Sequence, residues 1–436
     1  MSQPNFIIIY CDDLGYGDLS SYGSKTVKTP HLDELASTGI RFTDWYSNSP
    51  VCSPSRASLL TGQYPARTGV DNIIAGERGA KGLPEKSKTL ATRLKDVGYK
   101  TSIFGKWHLG SRRENLPNNH GFDNFFGFHS GVVDYYSHIN YWILRKGRNP
   151  VHDLWKNEKE IWENGSYITD LITKKSVDYI HNQKDSPFFL YVPFNAPHFP
   201  LHAPDKYLDR FSNLAGDKQI MAAMISAIDD GVGEIIKALK ETNQYNNTVV
   251  FFSSDNGPSS ESRNWLDGTE DYYYGGDAGL FNGYKGSLYE GGIREPAIIS
   301  YPGVIEGKQV CNYPFVMMDI VPTFLDLANV DSSKIIELDG KSILSAITSK
   351  ETFNAQRKIF WEYDGQLAVR EENWKLVLNG KFDFDNADKD TIRLTNLKKD
   401  PGEKENLVEM YPNIANRLKK SVESWYGKIK NEQIHN

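Results

Sequence analysis

The chain has 436 residues, of which 39% are hydrophobic and 24% charged, and its net charge is -6. That balance describes a globular protein; it excludes a disordered or fibrous chain and a broadly basic surface of the kind that recruits nucleic acid. No run of about 18 apolar residues is present, which excludes a helical membrane span, and three cysteines (Cys11, Cys52, Cys311) are too few for a disulfide framework.

The length exceeds one ordinary domain, so a large α/β domain with a smaller companion is expected. The first predicted element is the apolar run Asn5 to Cys11, which ends in Asp12-Asp13. It reads as a buried parallel strand whose C-terminal end opens onto a site. The chain begins almost on this strand, as expected of a mature form whose secretion signal was removed or replaced by Met1-Ser2, and a periplasmic or secreted location follows as an expectation. Next comes Val51-Cys52-Ser53-Pro54-Ser55-Arg56. A Cys just ahead of a Pro that can sit in a first helical turn lies at a helix N-terminus, where free N–H groups and the dipole favour an anion.

Leu90, Leu94 and Val97 follow a helical period stopped by Gly98, and Lys100 to Phe104 reads as a second buried strand. Phe188 to Val192, Thr248 to Ser253 and Ala297 to Ser300 repeat the strand theme; Ile220, Met224, Ile228, Val232, Ile235, Ile236 and Leu239 form a long helical repeat between them. Alternating strands and helices predict a mostly parallel sheet covered on both faces over residues 1–330. From about Asp331 the pattern changes. Leu367 to Arg370 and Trp374 to Leu378, joined by Glu371-Glu372-Asn373, predict an antiparallel hairpin, and Pro412 to Ile429 predicts a closing helix. Residues 331–436 are therefore expected to form an α+β subdomain, docked tightly because no linker precedes it.

Two predicted strand ends carry oxygen ligands: Asp12 and Asp13 after the first, Asp255 and Asn256 after the strand at Thr248. Three carboxylates and an amide suit a hard divalent cation, Ca2+ or alternatively Mg2+. Each pair alone is equally at home in a cap or a turn. Gly98 to Gly110 places Lys106 and His108 just past a strand; His198 lies in Asn195-Ala196-Pro197-His198-Phe199-Pro200, and Lys285 in Gly283-Tyr284-Lys285-Gly286-Ser287.

The run Cys52 to Gly62 has the form CxPSRxxxLTG, and with the Gly98 to Gly110 segment it resembles the type I sulfatases. Gly121 to Phe128 and Gly131 to His138 resemble the arylsulfatase B and N-acetylgalactosamine-4-sulfatase branch. The resemblance implies an alkaline-phosphatase-like fold: a large mixed, mostly parallel sheet flanked by helices, with a smaller C-terminal antiparallel sheet plus helix. It implies that a formylglycine-generating maturation enzyme oxidises Cys52 to an aldehyde, whose hydrate attacks sulfur. Asp12, Asp13, Asp255, Asn256 and residue 52 would hold the cation. Arg56 and Lys106 would stabilise the attacking hydroxyl, and Lys285 and His198 would bind sulfate oxygens and assist the leaving alcohol. His108 would take the proton of the second hydroxyl and expel sulfate, a release route that a serine ester lacks.

The implied substrate is a galactose- or N-acetylgalactosamine-type 4-O-sulfate in a carrageenan or glycosaminoglycan oligosaccharide or polysaccharide. His129, Asp134, Arg263 and Trp265 are candidate sugar contacts, the last two from an aromatic and acidic stretch, Ser259 to Asp277. Two other readings stand beside this one. A phosphonate monoester or phosphodiester hydrolase shares the CxPSR motif but tends to carry Asp-His where this chain has Asp255-Asn256. A sulfated-glycan binding protein without catalysis would fit a chain whose Cys52 is never oxidised.

Overall fold

The computed structural model describes residues 3–143, 147–183, 186–261, 275–348 and 357–435. Asn5–Asp12 forms a strand buried along its whole length at the centre of an eleven-stranded sheet. Its apolar run is continuous rather than alternating because both faces are covered. Thr248–Ser254 pairs with it in parallel on one side and Phe188–Pro197 on the other, followed outward by Lys100–Lys106 and Asn124–Phe128, all parallel.

Ile40–Tyr46 and Arg294–Ser300 extend the sheet beyond Thr248–Ser254. The predicted strand at Ala297 to Ser300 lies within Arg294–Ser300, but it runs antiparallel to both neighbours, so it departs from the parallel theme. The short helix Glu290–Ile293 leads directly into it, and because it runs antiparallel to Thr248–Ser254 no crossover connection is needed.

Helices cover both faces. Asp217–Glu241, Ile168–Asn182 and Pro30–Ser37 pack over one face, with Met224, Ile228, Val232 and Ile235 in that core. Cys52–Thr61, Leu90–Lys95 and Ile320–Leu327 pack over the other. Alternate residues of the central strand serve the two cores: Ile7 and Ile9 one, Phe6 and Ile8 the other.

A second, antiparallel sheet follows in the order Lys358–Tyr363, Gln366–Glu371, Trp374–Leu378, Ile392–Asn396. The helix Pro412–His435 packs on it through Leu418 and Val422. A buried ionic cluster ties this sheet to the large one. Lys375, with no exposed surface, meets Glu290 at 2.8 Å and Glu403 at 3.2 Å, while Glu290 also binds Arg294 and the Tyr46 hydroxyl. Among the described residues no helix is long and apolar enough to cross a membrane.

Candidate functional site

The C-terminal ends of Asn5–Asp12, Thr248–Ser254 and Lys100–Lys106 converge beside the N-terminus of the helix Cys52–Thr61. Strand ends in an open parallel sheet leave a crevice with backbone already ordered on three sides. Cys52 is the first helical residue, and Arg56 lies one turn on, so both side chains share a face. Gly62, with φ +74°, ends the helix in the left-handed conformation.

Asp13, Asp255 and Asn256 form the floor. The Asp13 amide donates to Asp255 Oδ1 at 3.2 Å, and Asn256 Nδ2 donates to Asp13 Oδ1 at 2.7 Å. Asp13 itself sits at φ +63°, a strained conformation for a residue with a side chain. Lys285 Nζ donates to Asp13 Oδ2 at 2.9 Å and lies 3.2 Å from Glu261. Lys106 Nζ donates to Asp12 Oδ2 at 2.5 Å. Asp12, Asp13, Cys52 and His198 each present a ligand atom within 4.8 Å of the others.

Burial sets the electrostatics. It raises the Asp13 carboxyl to about 7 despite Lys285, and it raises Asp255 despite Arg56. Burial would raise Asp12 too, but Lys106, Arg56 and Lys285 outweigh it and hold that carboxyl below its usual range. Asp12, Asp13 and Asp255 are matched in charge by Arg56, Lys106 and Lys285, and Glu261 beside Lys285 adds a fourth carboxylate, so one negative charge is left over, which is costly away from water unless a cation joins it. Two oxygens in the same cluster, Asp12 Oδ1 and Asn256 Oδ1, are buried without a hydrogen-bond partner. Hard oxygen donors, excess buried negative charge and orphaned acceptors together fit a divalent cation of the calcium or magnesium kind.

Burial also pushes the Cys52 thiol well above its ordinary range, although Lys106 and Lys285 pull the other way. An unmodified Cys52 would thus be a neutral thiol and a poor nucleophile. His108 Nε2 lies 3.0 Å from the Ile74 carbonyl, which assigns the proton to that nitrogen and leaves Nδ1 bare and without a partner. Burial, then Lys106, hold the His108 ring neutral. His198 is likewise neutral through burial, Lys285 and Lys106; its Nδ1 faces the Phe199 carbonyl at 2.7 Å and its Nε2 faces Asp13 at 3.6 Å.

A cleft of about 230 Å³ opens above this floor. Cys52, His108, His198 and Lys285 line it, together with Glu261, Trp142 and Phe199. Gly131 faces the His108 ring so closely that a Cβ there would lie 2.5 Å from it. Arg56 and Lys106 do not line the cleft. Arg56 lies beneath, with no exposed surface, donating from Nε and Nη2 to Asp255 Oδ2 and stacking its guanidinium 5.5 Å from the Tyr10 ring. Its hydrogen bonds go to Asp255 and to the Lys106 carbonyl, not into the cleft.

The sugar-contact candidates fall elsewhere. His129 lines a neighbouring hollow, not the one with Cys52. Asp134 accepts from the amides of Tyr136 and Ser137 and meets His202 at 3.3 Å, which commits its carboxylate to a turn. Arg263 and Trp265 lie outside the described residues.

Sequence reasoning missed Glu261 and Gln366. Gln366 has no exposed surface; its Nε2 donates to the Gly286 carbonyl at 2.8 Å, and its Oε1 accepts from the amides of Leu288 and Lys381. It fixes the loop that carries Lys285. A Gln inside an alternating strand gives no signal of this, because it looks like the solvent face.

A family model described as Sulfatase matches residues 4–330, and one described as N-sulphoglucosamine sulphohydrolase, C-terminal, matches residues 276–428. Arylsulfatase J of Mus musculus is 32% identical, the alignment covering 96% of this chain and 75% of that protein. N-acetylgalactosamine-6-sulfatase of Sus scrofa is 34% identical over 82% of this chain and 68% of its own length. Among solved structures, Ps i-CgsB in complex with k-i-k-neocarrahexaose superposes with a TM-score of 0.86 at 31% identity, covering 97% of this chain and 93% of the other.

Proposed function

This chain belongs to the sulfatase family and is a sulfuric ester hydrolase, and on that premise we propose that it releases sulfate from a sulfated carbohydrate, a galactose- or N-acetylgalactosamine-type 4-O-sulfate. The observation that carries the reading is the charge arrangement under Cys52. Asp12, Asp13, Asp255 and Glu261 formally oppose Arg56, Lys106 and Lys285, one negative charge in excess. A divalent cation turns that into one positive charge, the complement of a sulfate monoester.

Asp12, Asp13, Asp255, Asn256 and residue 52 would hold Ca2+, or alternatively Mg2+. Bound there, the cation supplies Lewis acidity toward a sulfate oxygen and toward an attacking hydroxyl. Formylglycine at position 52, made by a maturation enzyme, supplies that hydroxyl as an aldehyde hydrate. The chain's own residues do the rest. Arg56 fixes Asp255 and Asp12 in place, and Lys106 neutralises Asp12. Lys285 lines the cleft as an ammonium: burial would pull it down, but Asp13, Cys52 and Glu261 outweigh that and hold it charged. It stabilises charge on the sulfate and on the departing alcohol oxygen. His108 Nδ1, bare and unpartnered, is the base that accepts a proton from residue 52.

The carbohydrate reading is supported by the Trp142 and Phe199 rings, 4.8 Å apart at the cleft wall, and by the likeness to Ps i-CgsB with its bound neocarrahexaose. The relative named for a 6-sulfate makes the ring position the point to test. In this reading residues 1–330 are the catalytic domain and 331–436 the subdomain that braces it. The test is desulfation of a panel of carrageenan and glycosaminoglycan oligosaccharides by enzyme co-produced with a formylglycine-generating enzyme, read by mass and by position of the lost group. Loss of a 4-sulfate supports the reading; loss of a 6-sulfate alone, or cleavage of phenyl phosphonate in preference to any sulfate, overturns it.

A further inference from the structure

The cleft above Cys52 has a neighbour. A hollow of about 130 Å³ is lined by His129, Trp155, Arg78 and Asp153, and it shares Gly76 and Glu77 with the cleft as a common wall. That wall is anchored on the site itself: the Ile74 amide donates to Ser53 Oγ at 3.1 Å, and the Ile74 carbonyl meets His108. Gly76 is pinned by Asn140, whose Nδ2 donates to its carbonyl at 2.9 Å and would lie 2.5 Å from a Cβ. Whatever binds in the hollow is therefore held at a fixed distance from residue 52.

We propose that this hollow is a second sugar subsite, taking the ring next to the one that bears the scissile sulfate, so that the enzyme works on sugars within a chain; the inference rests on the sulfated-carbohydrate reading above. Three observations carry it. His129 Nε2 is buried with no hydrogen-bond partner, while Nδ1 on the other side of the ring faces Asp153 at 3.7 Å. A buried ring nitrogen in that state is costly, and because the His129 ring lines the hollow, a small turn of the imidazole would offer it to a sugar hydroxyl. His129 also lies between Phe125 and Trp155, at ring separations of 5.0 and 5.2 Å, and Arg78 lies 5.5 Å from the Trp155 ring. Aromatic walls with a few polar groups suit the alternating apolar and hydroxyl faces of a pyranose.

The charges select the kind of ring. Arg78 is paired with Glu160 at 2.5 Å and Glu77 with Arg148, and Asp153 adds a further carboxylate, so the hollow has no surplus positive charge. It suits a neutral, hydroxyl-bearing ring better than a second sulfate. The aromatic surface continues outward: Glu160 also meets His152 at 3.0 Å, and Trp162, 63% exposed, stacks on His152 at 3.7 Å and 12°. An exposed indole laid flat on a buried imidazole is a platform for a third ring.

The test compares a sulfated monosaccharide with the di-, tetra- and hexasaccharides of the polymer that the matured enzyme desulfates. The expected result is a kcat/KM that rises at least tenfold from mono- to tetrasaccharide. Trp155→Ala and Arg78→Ala should remove that gain through KM, leaving the monosaccharide rate within about twofold, and Trp155→Phe should keep most of it. Arg78 is half exposed, so its variant reads the subsite even where Trp155→Ala folds poorly. Rates independent of chain length, or equal losses on monosaccharide and tetrasaccharide in Arg78→Ala, overturn the subsite while leaving the sulfatase reading intact. Desulfation of monosaccharides only overturns it as well; no sulfate release from any sugar overturns both.

Discussion

Arg56 places Nε and Nη2 against a single oxygen of Asp255, at 2.9 and 2.6 Å, and neither side chain has exposed surface. Arg56→Ala strips that carboxylate, and Asp12 3.5 Å away, of a fully buried counter-charge. Loss of one partner of a buried pair costs about 3–5 kcal/mol. We expect a fall in unfolding stability of that order, measured in urea, together with loss of sulfate release. Arg56→Lys should recover little, because one ammonium cannot make both contacts. Unchanged activity in Arg56→Ala would mean that Asp255 needs no positioning.

Cys52→Ser keeps the helix start and the cleft, so it should still bind a sulfated oligosaccharide. Turnover should fall by at least about 10^4-fold, the scale seen when a covalent nucleophile is removed. Single-turnover and steady-state rates, with calorimetric binding, check both halves. Steady multiple turnover by this variant would remove the aldehyde from the mechanism.

Cation removal should carry a pH signature. In the cation-free protein, burial raises Asp13 to about 7 against an ordinary carboxyl near 3.8, with Asp12, Asp255 and Glu261 adding to the rise and Lys285 opposing it. A raised carboxyl favours the folded state below about pH 4, and that contribution is lost as pH climbs through about 7. A cation held there would replace the proton, so the gap in unfolding midpoint between calcium-loaded and chelated protein should widen from about pH 4 to 7. At a hundred times the dissociation constant, calcium should add about 2.7 kcal/mol. A gap independent of pH would place the cation elsewhere.

Gln366→Ala removes the amide that ties down the Gly286 carbonyl and two further amides. Each buried group left unsatisfied costs about 1–3 kcal/mol, and the loosened loop carries Lys285. A tenfold or larger drop in kcat/KM is expected. Gln366→Glu, equal in shape, should do no better, because a carboxylate cannot donate to Gly286. Full activity in the Glu variant would show that the contact does not position Lys285.

Lys375→Met leaves Glu290 and Glu403 facing each other without the ammonium that lies between them. A destabilisation of about 3–5 kcal/mol is expected. Adding Glu403→Gln should return much of it. Additive losses in the double variant, by urea unfolding, would argue against a shared cluster.

Much of this organisation is legible in the sequence because burial on both faces writes continuous apolar runs. Asn5–Asp12, Phe188–Pro197 and Thr248–Ser254 all begin where the runs do, and the polar groups at their ends come with them: Asp12 and Asp13, His198, and Asp255. Ile40–Tyr46 writes no such run, for it carries Arg41, Thr43 and Asp44 among its apolar residues, and two of its partners are the short Gln309–Cys311 and Phe315–Val316. Strand direction is silent in composition, so the antiparallel course of Arg294–Ser300 could not be read. Side-chain identity placed Cys52, His108, His198 and Lys285 together, but not Arg56 below the floor or His129 in the next hollow: motifs name the groups that meet, and only packing says which surface each one faces.

The Gln366 contact also sets a timetable. The Lys285 loop cannot be fixed until a residue 314 positions beyond Cys52 has been made. At about 5–20 residues per second of synthesis, the helix that begins at Cys52 therefore waits roughly 15 to 60 s before the chain that closes its site exists. In the finished fold Cys52 is 2% exposed. A maturation enzyme of the proposed kind, which would have to grip the chain to oxidise this thiol, would have that interval in which to reach it; offered the folded protein, it should leave the thiol untouched, as the mass of the peptide containing residue 52 would show.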